Sequence, residues 1–446
     1  VENYKTRALG IKLYQHQIET MRFILSHRKC FVFDEIGTGK TLSLLETIDL
    51  LIYHKKVNRV LVIAPISVMK SVWVQHILQF YPHRTFTVLH ASKKRRLEML
   101  KEDTRIHIIN PDGIKVIHSE LLAMKYDMII IDESTVFAAH TSDRTKAAWQ
   151  LCRPAKSVVC MTGEPTPNDL IQSYAQAKLI HFENPKFFTK FRDKIKTRFD
   201  EFTYFDKPTA LIDVHEILQP AIRHTQKDCL ELPPCSIETL DVELSNEQKK
   251  LYKEMEKDYI TFVKDKHITA ANAAVKITKL LQISAGILID NDGEAFEVNH
   301  KSRLAELWNI YNQLDRKKLI VFANFTRSVN ELVEEFGNKA QKIDGSVNVN
   351  DRPKIIEAFQ NGDLEVLIGQ PKAISHGVNL QTANNLVWWS PVLSNETYNQ
   401  CNGRIRRAGQ TKPQRIFRLQ STKIERYVYS LLERKQKVSQ NLLHFM

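Results

Sequence analysis

Phe31-Val32-Phe33-Asp34-Glu35-Ile36-Gly37-Thr38-Gly39-Lys40-Thr41 is the stretch that decides the fold of this 446-residue chain. The apolar run from Cys30 to Phe33 reads as a buried strand, and a glycine-bearing turn follows it. Leu42, Leu44, Leu45 and Ile48 then recur at helical spacing, which predicts a helix opening near Lys40. Strand, glycine loop and helix N-terminus in that order make a phosphate cradle, because backbone N–H groups point inward and the helix dipole favours negative charge. In such a cradle Lys40 reaches the β- and γ-phosphates of a nucleoside triphosphate, and the Thr41 hydroxyl ligates Mg²⁺. Asp34 stands where the eight-residue pattern G-x-x-x-x-G-K-S/T has its first glycine.

Working outward, Leu13-Tyr14-Gln15-His16-Gln17 begins an amphipathic helix with Ile18, Met21, Ile24 and Leu25 on one side. Gln17 carries both an amide donor and an acceptor, a pairing suited to the adenine edge, but on spacing alone it reads as part of a solvated helix face. Val60 to Pro65 is a second apolar strand, and Ser67 to Phe80 reads as a helix. Its first turn, with Ser67 and Lys70, is a candidate holder of a nucleic-acid phosphate. His107 to Gly113 repeats the strand-then-turn pattern and contributes Asn110.

Tyr126-Asp127-Met128-Ile129-Ile130-Ile131-Asp132-Glu133-Ser134 is an apolar run of the kind buried on both faces of a parallel sheet, and it ends in two carboxylates. Ligands of open α/β sheets sit at strand C-termini, so these acids belong beside the phosphate cradle. Asp132 is expected to hold Mg²⁺, and Glu133 to orient and deprotonate the attacking water. Ser157 to Pro165 adds another strand and turn, where Thr162 is expected to couple the nucleotide site to the rest of the chain. Strands alternating with helices imply a doubly wound parallel sheet.

From Leu170 to Ile222 the strand pattern fades, and Phe182, Phe187, Phe188, Phe191, Phe199, Phe202, Tyr204 and Phe205 lie among lysines and arginines. These rings read first as the core of a small helical insert, and second as base-stacking groups. Leu230 to Pro234 is expected as a turn or linker, with helices over Glu247–Lys264 and Thr269–Ile283. A second α/β unit opens at Lys318–Phe322 and continues with strands at Gln341–Ile343, Val366–Gly369 and Asn385–Trp389 and a helix over Asp351–Phe359. Between the last two strands lies the polar turn Ser375-His376-Gly377-Val378-Asn379-Leu380. A helix is expected from about Asn395 to Arg407, stopped by Gly409. On it Arg404 and Arg407 would share one face, as two guanidinium forks aimed at a triphosphate or as a solvated basic helix end.

The composition agrees with a globular chain of two or three domains: 43% hydrophobic and 26% charged residues can build proper cores. No apolar run reaches the ~18 residues of a membrane span, and the start Val1-Glu2-Asn3-Tyr4 has neither Met nor the pattern of a signal peptide. A formal net charge of +13 leans toward a polyanionic partner. Cysteines 30, 152, 160, 229, 235 and 401 form no C-x-x-C pair, which points to reduced thiols in a cytosolic setting rather than a zinc site.

Taken together, the motifs resemble the Snf2-like branch of superfamily 2 helicases and translocases. Phe33 to Thr41 is similar to its first motif, which usually reads Asp-Glu-x-Gly-x-Gly-Lys-Thr and so accounts for Asp34. Ile131 to Ser134 resembles the second motif, Met161 to Asn168 the third, Leu319 to Thr326 the fourth, Gly377 to Leu380 the fifth and Gln400 to Gln410 the sixth. Lys342 to Arg352, with Asp344-Gly345-Ser346, follows the family's Leu-Asp-Gly-Ser segment, and Thr422 to Arg426 resembles the segment that latches the second lobe. Departures are the absent Trp-Asn-Pro around Ser390 and Arg406 in place of a common His; the stretch from Val387 through Gln400 resembles the compact phage and bacterial members more than chromatin remodellers.

The resemblance implies two RecA-like, doubly wound parallel-sheet lobes with helical inserts and an ATP cleft between them. It places an ATP-binding lobe at 1–225 (insert about 170–222), a linker and helical protrusion at 226–300, and a C-terminal lobe at 301–446. It further implies ATP and Mg²⁺ as cofactors. Gln17, Asp34, Glu35, Ile36, Gly37, Thr38, Gly39, Lys40, Thr41, Gly377 and Asn379 would bind nucleotide, with Arg404 and Arg407 as arginine fingers. Ser67, Lys70, Asn110, Asn324, Arg327 and Asp344 would lie on the nucleic acid, and Thr162 and Gln400 would couple the two events. The expected protein is a monomeric motor on forked, branched or duplex DNA, in a bacterial or phage-infected cell and away from membranes. A strand-separating helicase, a duplex translocase and a non-catalytic DNA scaffold are the readings left open; the intact Lys40, Asp132, Glu133, Arg404 and Arg407 set weighs against the last.

Overall fold

Alternation along the strands explains the architecture. Phe31, Phe33, Leu61, Ile63, Ile129 and Ile131 pack into one apolar cluster, while Cys30, Val32, Val60, Val62, Met128 and Ile130 pack into another. Successive side chains of a strand point to opposite faces, so each strand here is buried on both sides. The computed structural model describes residues 5–183, 185–200, 204–264, 270–289, 294–314, 318–348, 351–374, 380–407 and 409–444. It divides into two units, Val1–Glu231 with Lys435–Met446, and Leu232–Arg434.

The strands of the first unit are β1 Lys29–Val32, β2 Val60–Ile63, β3 Phe86–Val88, β4 Ile106–Ile109, β5 Met128–Asp132, β6 Ser157–Met161, the small hairpin β7 Lys196–Arg198 and β8 Tyr204–Asp206, and β9 Ala221–Ile222. They form an all-parallel seven-stranded sheet of order β3-β4-β2-β5-β6-β1-β9, with β7 and β8 apart from it. The second unit holds β10 Cys235–Asp241, the hairpin β11 Ile287–Ile289 and β12 Ala295–Glu297, then β13 Leu319–Phe322, β14 Ala340–Ile343, β15 Val366–Gly369, β16 Asn385–Trp388 and β17 Gln414–Gln420. Its six-stranded sheet runs β10-β17-β16-β13-β15-β14, again all parallel. Ile320, Phe322, Leu386 and Trp388 face one cluster; Leu319, Val321, Val387 and Trp389 face the other. Two doubly wound parallel-sheet lobes are therefore what the chain builds, as its strand pattern implies.

Several elements depart from the sequence reading. The stretch Ser67–Phe80 is one rod in the helical pattern but three pieces in space: α-helix Ile66–Val68, π-helix Met69–Val74 and α-helix Gln75–Phe80. The helix carrying the sixth motif spans only Asn395–Asn402, with Gly403 as its C-cap, so Arg404 and Arg407 lie in the turns beyond it and not on a shared helix face. The insert is not a detachable bundle. Tyr174, Leu179, Phe191, Val214 and Leu218 are buried in the first unit's core, and β9 extends the main sheet beside β1. Within the expected linker and protrusion, Cys235–Asp241 is a full edge strand of the second sheet. The helix Lys423–His444 begins in the second unit, and its Leu442 and Leu443 are buried in the first unit's core.

Candidate nucleotide-binding and nucleic-acid-facing site

Strand register brings the motifs of the first unit to one edge. Val32 of β1 stands level with Met161 of β6, and Met161 with Asp132 of β5; Ile131 is level with Ile63 of β2, and Ile63 with Ile109 of β4. The segments that follow these strands carry Asp34–Lys40, Thr162, Glu133, Ser67–Lys70 and Asn110, so all emerge at the sheet's C-terminal edge, where ligands of such sheets bind.

The phosphate loop turns on Gly37 at φ 87° and Gly39 at φ 86°, left-handed positions that glycine adopts without a Cβ penalty. Gly39 caps the helix Lys40–Tyr53. The Lys40 ammonium donates to the carbonyls of Asp34 at 2.7 Å and Glu35 at 3.1 Å, lying back across the loop where a phosphate would be received. Gln17 is buried against the same loop: its amide donates to Thr38 O at 3.4 Å and Gly39 O at 3.3 Å, and its oxygen accepts from Tyr14 N at 2.9 Å. The Asp34 and Glu35 side chains are committed elsewhere. Asp34, 1% exposed, accepts from Thr20 Oγ1 at 3.0 Å and from His224 N and Nδ1, each at 2.8 Å; Glu35 pairs with Arg223 at 3.2 Å. Only their backbone atoms face the cradle lysine.

At the end of β5, burial and the adjoining Glu133 charge push the Asp132 carboxyl up to about 7, against the pull of a hydrogen bond from Trp73 Nε1 at 2.8 Å and of nearby Lys40. Glu133 is held at φ 59°, a strained setting for a non-glycine residue of the sort that gathers at working sites. Its carboxylate accepts from Thr162 Oγ1 at 3.1 Å. Ser134 donates to Gln176 Oε1 at 2.8 Å, and the Gln176 amide reaches Pro165 O at 2.5 Å, which ties the second motif to the third. Trp73 went unnoticed in the sequence, where it sits as one more apolar residue of a helix.

Further along the same edge Lys70 is exposed on the π-helix while its neighbours Met69 and Trp73 are buried. His90 is held below the usual imidazole range by burial, then by the charges of Arg96 and Lys70, so three basic groups gather there. Arg96 donates through Nε to Ala91 O at 2.7 Å, and its Nη1 and Asn110 Oδ1 are buried with no hydrogen-bond partner among the described residues. Arg96 is a second residue that the motif reading missed; its signal is the run Lys93-Lys94-Arg95-Arg96.

In the second unit, burial and next the charge of Arg404 pull the Arg407 guanidinium down to about 9. Two cations in mutual repulsion are suited to a polyanion. Gln410 pins their loop with bonds to Gln381 O at 2.9 Å, Ala383 O at 3.0 Å and Ile405 O at 3.2 Å. Gln400 is buried on the preceding helix and reaches Glu396 at 3.4 Å. Asn324 donates to Pro391 O at 2.5 Å, and Arg327 is exposed in a pair with Glu331 at 2.7 Å. Asp344 does not present its charge outward: it is 1% exposed and holds its own turn by accepting from Ser346 N at 2.9 Å and Oγ at 2.6 Å. Gly377 and Asn379 lie outside the described residues.

A glycine loop on a strand end, an acid pair two strands away and an all-parallel sheet define a P-loop nucleoside triphosphatase, here followed by a second parallel-sheet unit. The SNF2-related domain matches residues 12–288, and the helicase conserved C-terminal domain matches residues 301–409. The chain belongs to the SNF2-related family and is an ATPase of the helicase type.

Putative protein p41 of Acyrthosiphon pisum secondary endosymbiont phage 1 is 27% identical over 420 residues, covering 88% of this chain and 87% of that protein. An uncharacterized ATP-dependent helicase of Mycoplasma genitalium is 28% identical over 428 residues, covering 92% of this chain but 40% of its own length. The chain thus spans less than half of several of its relatives. Among solved structures, a Sulfolobus solfataricus SWI2/SNF2 ATPase core in complex with dsDNA is 20% identical, with a TM-score of 0.47, over 99% of this chain and 94% of that one. No described helix is long and apolar enough to cross a membrane.

Proposed function

We propose that this chain couples ATP hydrolysis to movement along DNA, and that it parts or remodels forked and branched DNA in replication or recombination, acting as a monomer in a bacterial or phage-infected cell. One observation carries the reading: Trp73 bonds the catalytic-edge acid Asp132, and the helical turn that holds Trp73 also holds the exposed Lys70. A DNA phosphate on Lys70 and a nucleotide on the phosphate loop would then meet through one short connection.

In this reading Lys40 and Thr41 bind the phosphates, with Gln17 and the loop from Asp34 to Gly39 shaping the pocket. Glu133 orients and deprotonates water, steadied by Thr162. Arg404 and Arg407 of the second unit neutralise charge developing on the γ-phosphate, an effect worth roughly 10³–10⁵ in rate. Ser67, Lys70, Asn110 and Arg96, with Asn324 and Arg327, take DNA phosphates.

Magnesium fits the residues present. Asp132 is an acid raised by burial and a like charge, which a dication would relieve, and one carboxylate with the Thr41 hydroxyl suits an ion that keeps several waters and substrate phosphates. When bound, it would supply charge neutralisation at the phosphates.

The deciding experiment compares ATPase stimulation and strand displacement on forked, four-way-junction, blunt-duplex and single-stranded DNA. Stimulation with displacement on forked or junction DNA supports the reading. Stimulation by duplex without displacement reassigns the chain as a duplex translocase. Absence of stimulation by any DNA overturns the proposal.

A further inference from the structure

We infer that Arg223, His224 and Gln226 are positioning residues of the nucleotide loop, acting as a strap that fixes Asp34, Glu35 and Ile36 from behind. The inference rests on the nucleotide-site reading above and extends it to residues that no phosphate-loop pattern contains.

The strap engages consecutive loop residues, each through different atoms. His224 gives its backbone N–H and Nδ1 to Asp34 Oδ1, both at 2.8 Å, while its carbonyl accepts from Glu35 N at 2.9 Å. Arg223 Nη2 meets Glu35 Oε1 at 3.2 Å, and Gln226 N meets Glu35 Oε2 at 2.9 Å. The Gln226 side-chain amide then donates to Ile36 O at 2.5 Å. The ladder continues below the loop, where Phe33 N bonds Ile222 O at 2.8 Å.

Edge pairing of β9 with β1 would account for the last of these bonds, but not for the side-chain bonds. Those bonds turn the Asp34 and Glu35 carboxylates away from the cradle and leave their carbonyls toward Lys40. A glycine at position 34 could not be gripped in this way, so Asp34 is the strap's anchor. The strap also lies just ahead of Glu231, the residue at which the chain passes from the first unit to the second. Arg223 Nη1 further reaches Leu443 O at 3.4 Å, on the segment by which the chain returns.

If the loop is held in receiving geometry by the strap, nucleotide binding and strap order are linked, since a ligand stabilises whatever its bound state requires. The test uses the full chain and ADP with Mg²⁺. Gln226→Ala and Arg223→Gln should each raise the Kd for ADP about tenfold, and Arg223→Lys should return it to within about threefold, with Tm moving only a few degrees in all three. In a cycle of Glu35→Gln with Arg223→Gln, the double variant should bind no worse than the weaker single variant, because both remove one interaction. In the unaltered chain, ADP should slow amide exchange at His224 and Gln226. Gln226→Ala and Arg223→Gln variants that bind ADP within about twofold of the parent, or exchange at those amides that ADP leaves unchanged, would overturn the inference; the exchange measurement decides should a variant fail to fold. A parent chain that binds no ADP or ATP instead removes the nucleotide site itself.

Discussion

The indole N–H of Trp73 donates to the Asp132 carboxylate at 2.8 Å, which joins the helix after β2 to the acid that ends β5. Trp73 is fully buried, so its ring is fixed and the bond is its only polar outlet among the described residues. A hydrogen bond to a charged group is worth about 1.5–3 kcal/mol. Trp73→Phe keeps the ring packing and loses the donor. DNA-stimulated turnover should fall about tenfold or more, with KM for ATP changed by less than about threefold. Unchanged turnover would show that the bond only packs the helix.

Lys40→Ala and Arg407→Ala should each remove DNA-stimulated ATP hydrolysis and leave DNA binding largely intact. Lys40 belongs to the phosphate loop and Arg407 to the second unit, and neither belongs to the basic group around Lys70. Steady-state ATPase rates beside a DNA mobility shift check this, and appreciable turnover in either variant would refute the assigned roles.

DNA affinity should fall steeply with salt, as phosphate contacts release counterions. Lys70→Ala and Arg96→Ala should each lower the slope of log K against log salt by about one, uniformly across sequences. A Kd series from low to moderate salt reads this out; a flat response in the parent chain would argue against backbone tracking.

His224 titrates above the usual imidazole range, because it is hydrogen-bonded to Asp34, whose charge and that of Glu19 act with that bond against burial. A raised pKa contributes stability that is complete below the unfolded value of ~6.5 and is lost as pH climbs through the folded value. The Tm of the chain should therefore decline above about pH 6.5 by a few degrees more than that of His224→Gln. Parallel curves for the two proteins would contradict the assignment.

Phe199 and Phe205, 75% and 58% exposed, stand edge to face with ring centroids 5.5 Å apart on the hairpin β7–β8. Exposed paired rings of this kind can stack on bases, which is the second reading of the insert. Because the insert shares the first unit's core, excising it would unfold the lobe, and point changes are the sound test. Phe199→Ser with Phe205→Ser should cut strand displacement on forked DNA about tenfold while sparing ATPase stimulation. Displacement that persists would show that these two rings do not part the strands.

The sequence shows most clearly what has a periodic or compositional mark. Doubly buried strands such as Ile129–Ile131 and Leu319–Phe322 are plain apolar runs, and Gly37, Gly39 and Lys40 mark the loop by residue type. Other features have no such mark. β10, Cys235-Ser236-Ile237-Glu238-Thr239-Leu240-Asp241, holds few apolar residues and breaks strict alternation at Glu238-Thr239, and it follows Pro233-Pro234 at a sheet edge, so it reads as linker. The π-turn that carries Trp73 leaves the count of apolar residues unchanged, so Ser67–Phe80 reads as one helix. The helix expected to run to Arg407 and stop at Gly409 ends instead at its cap Gly403, and the polar residues on both sides of Gly403 offer no apolar contrast that would mark that end. Trp73, Arg96 and the strap at Arg223–Gln226 act through contacts with residues far off in sequence, which no local spacing reveals.

The helix Lys423–His444 has a consequence for how the molecule is made. Leu442 and Leu443 fill part of a core whose other residues precede Glu231, so the first lobe lacks those apolar side chains until synthesis has passed through the second. At ~5–20 residues per second, the roughly two hundred intervening residues take about 10–40 s. During that interval the nascent first lobe presents an open apolar slot to whatever stands at the ribosome exit, and the second lobe has time to fold before that slot is filled.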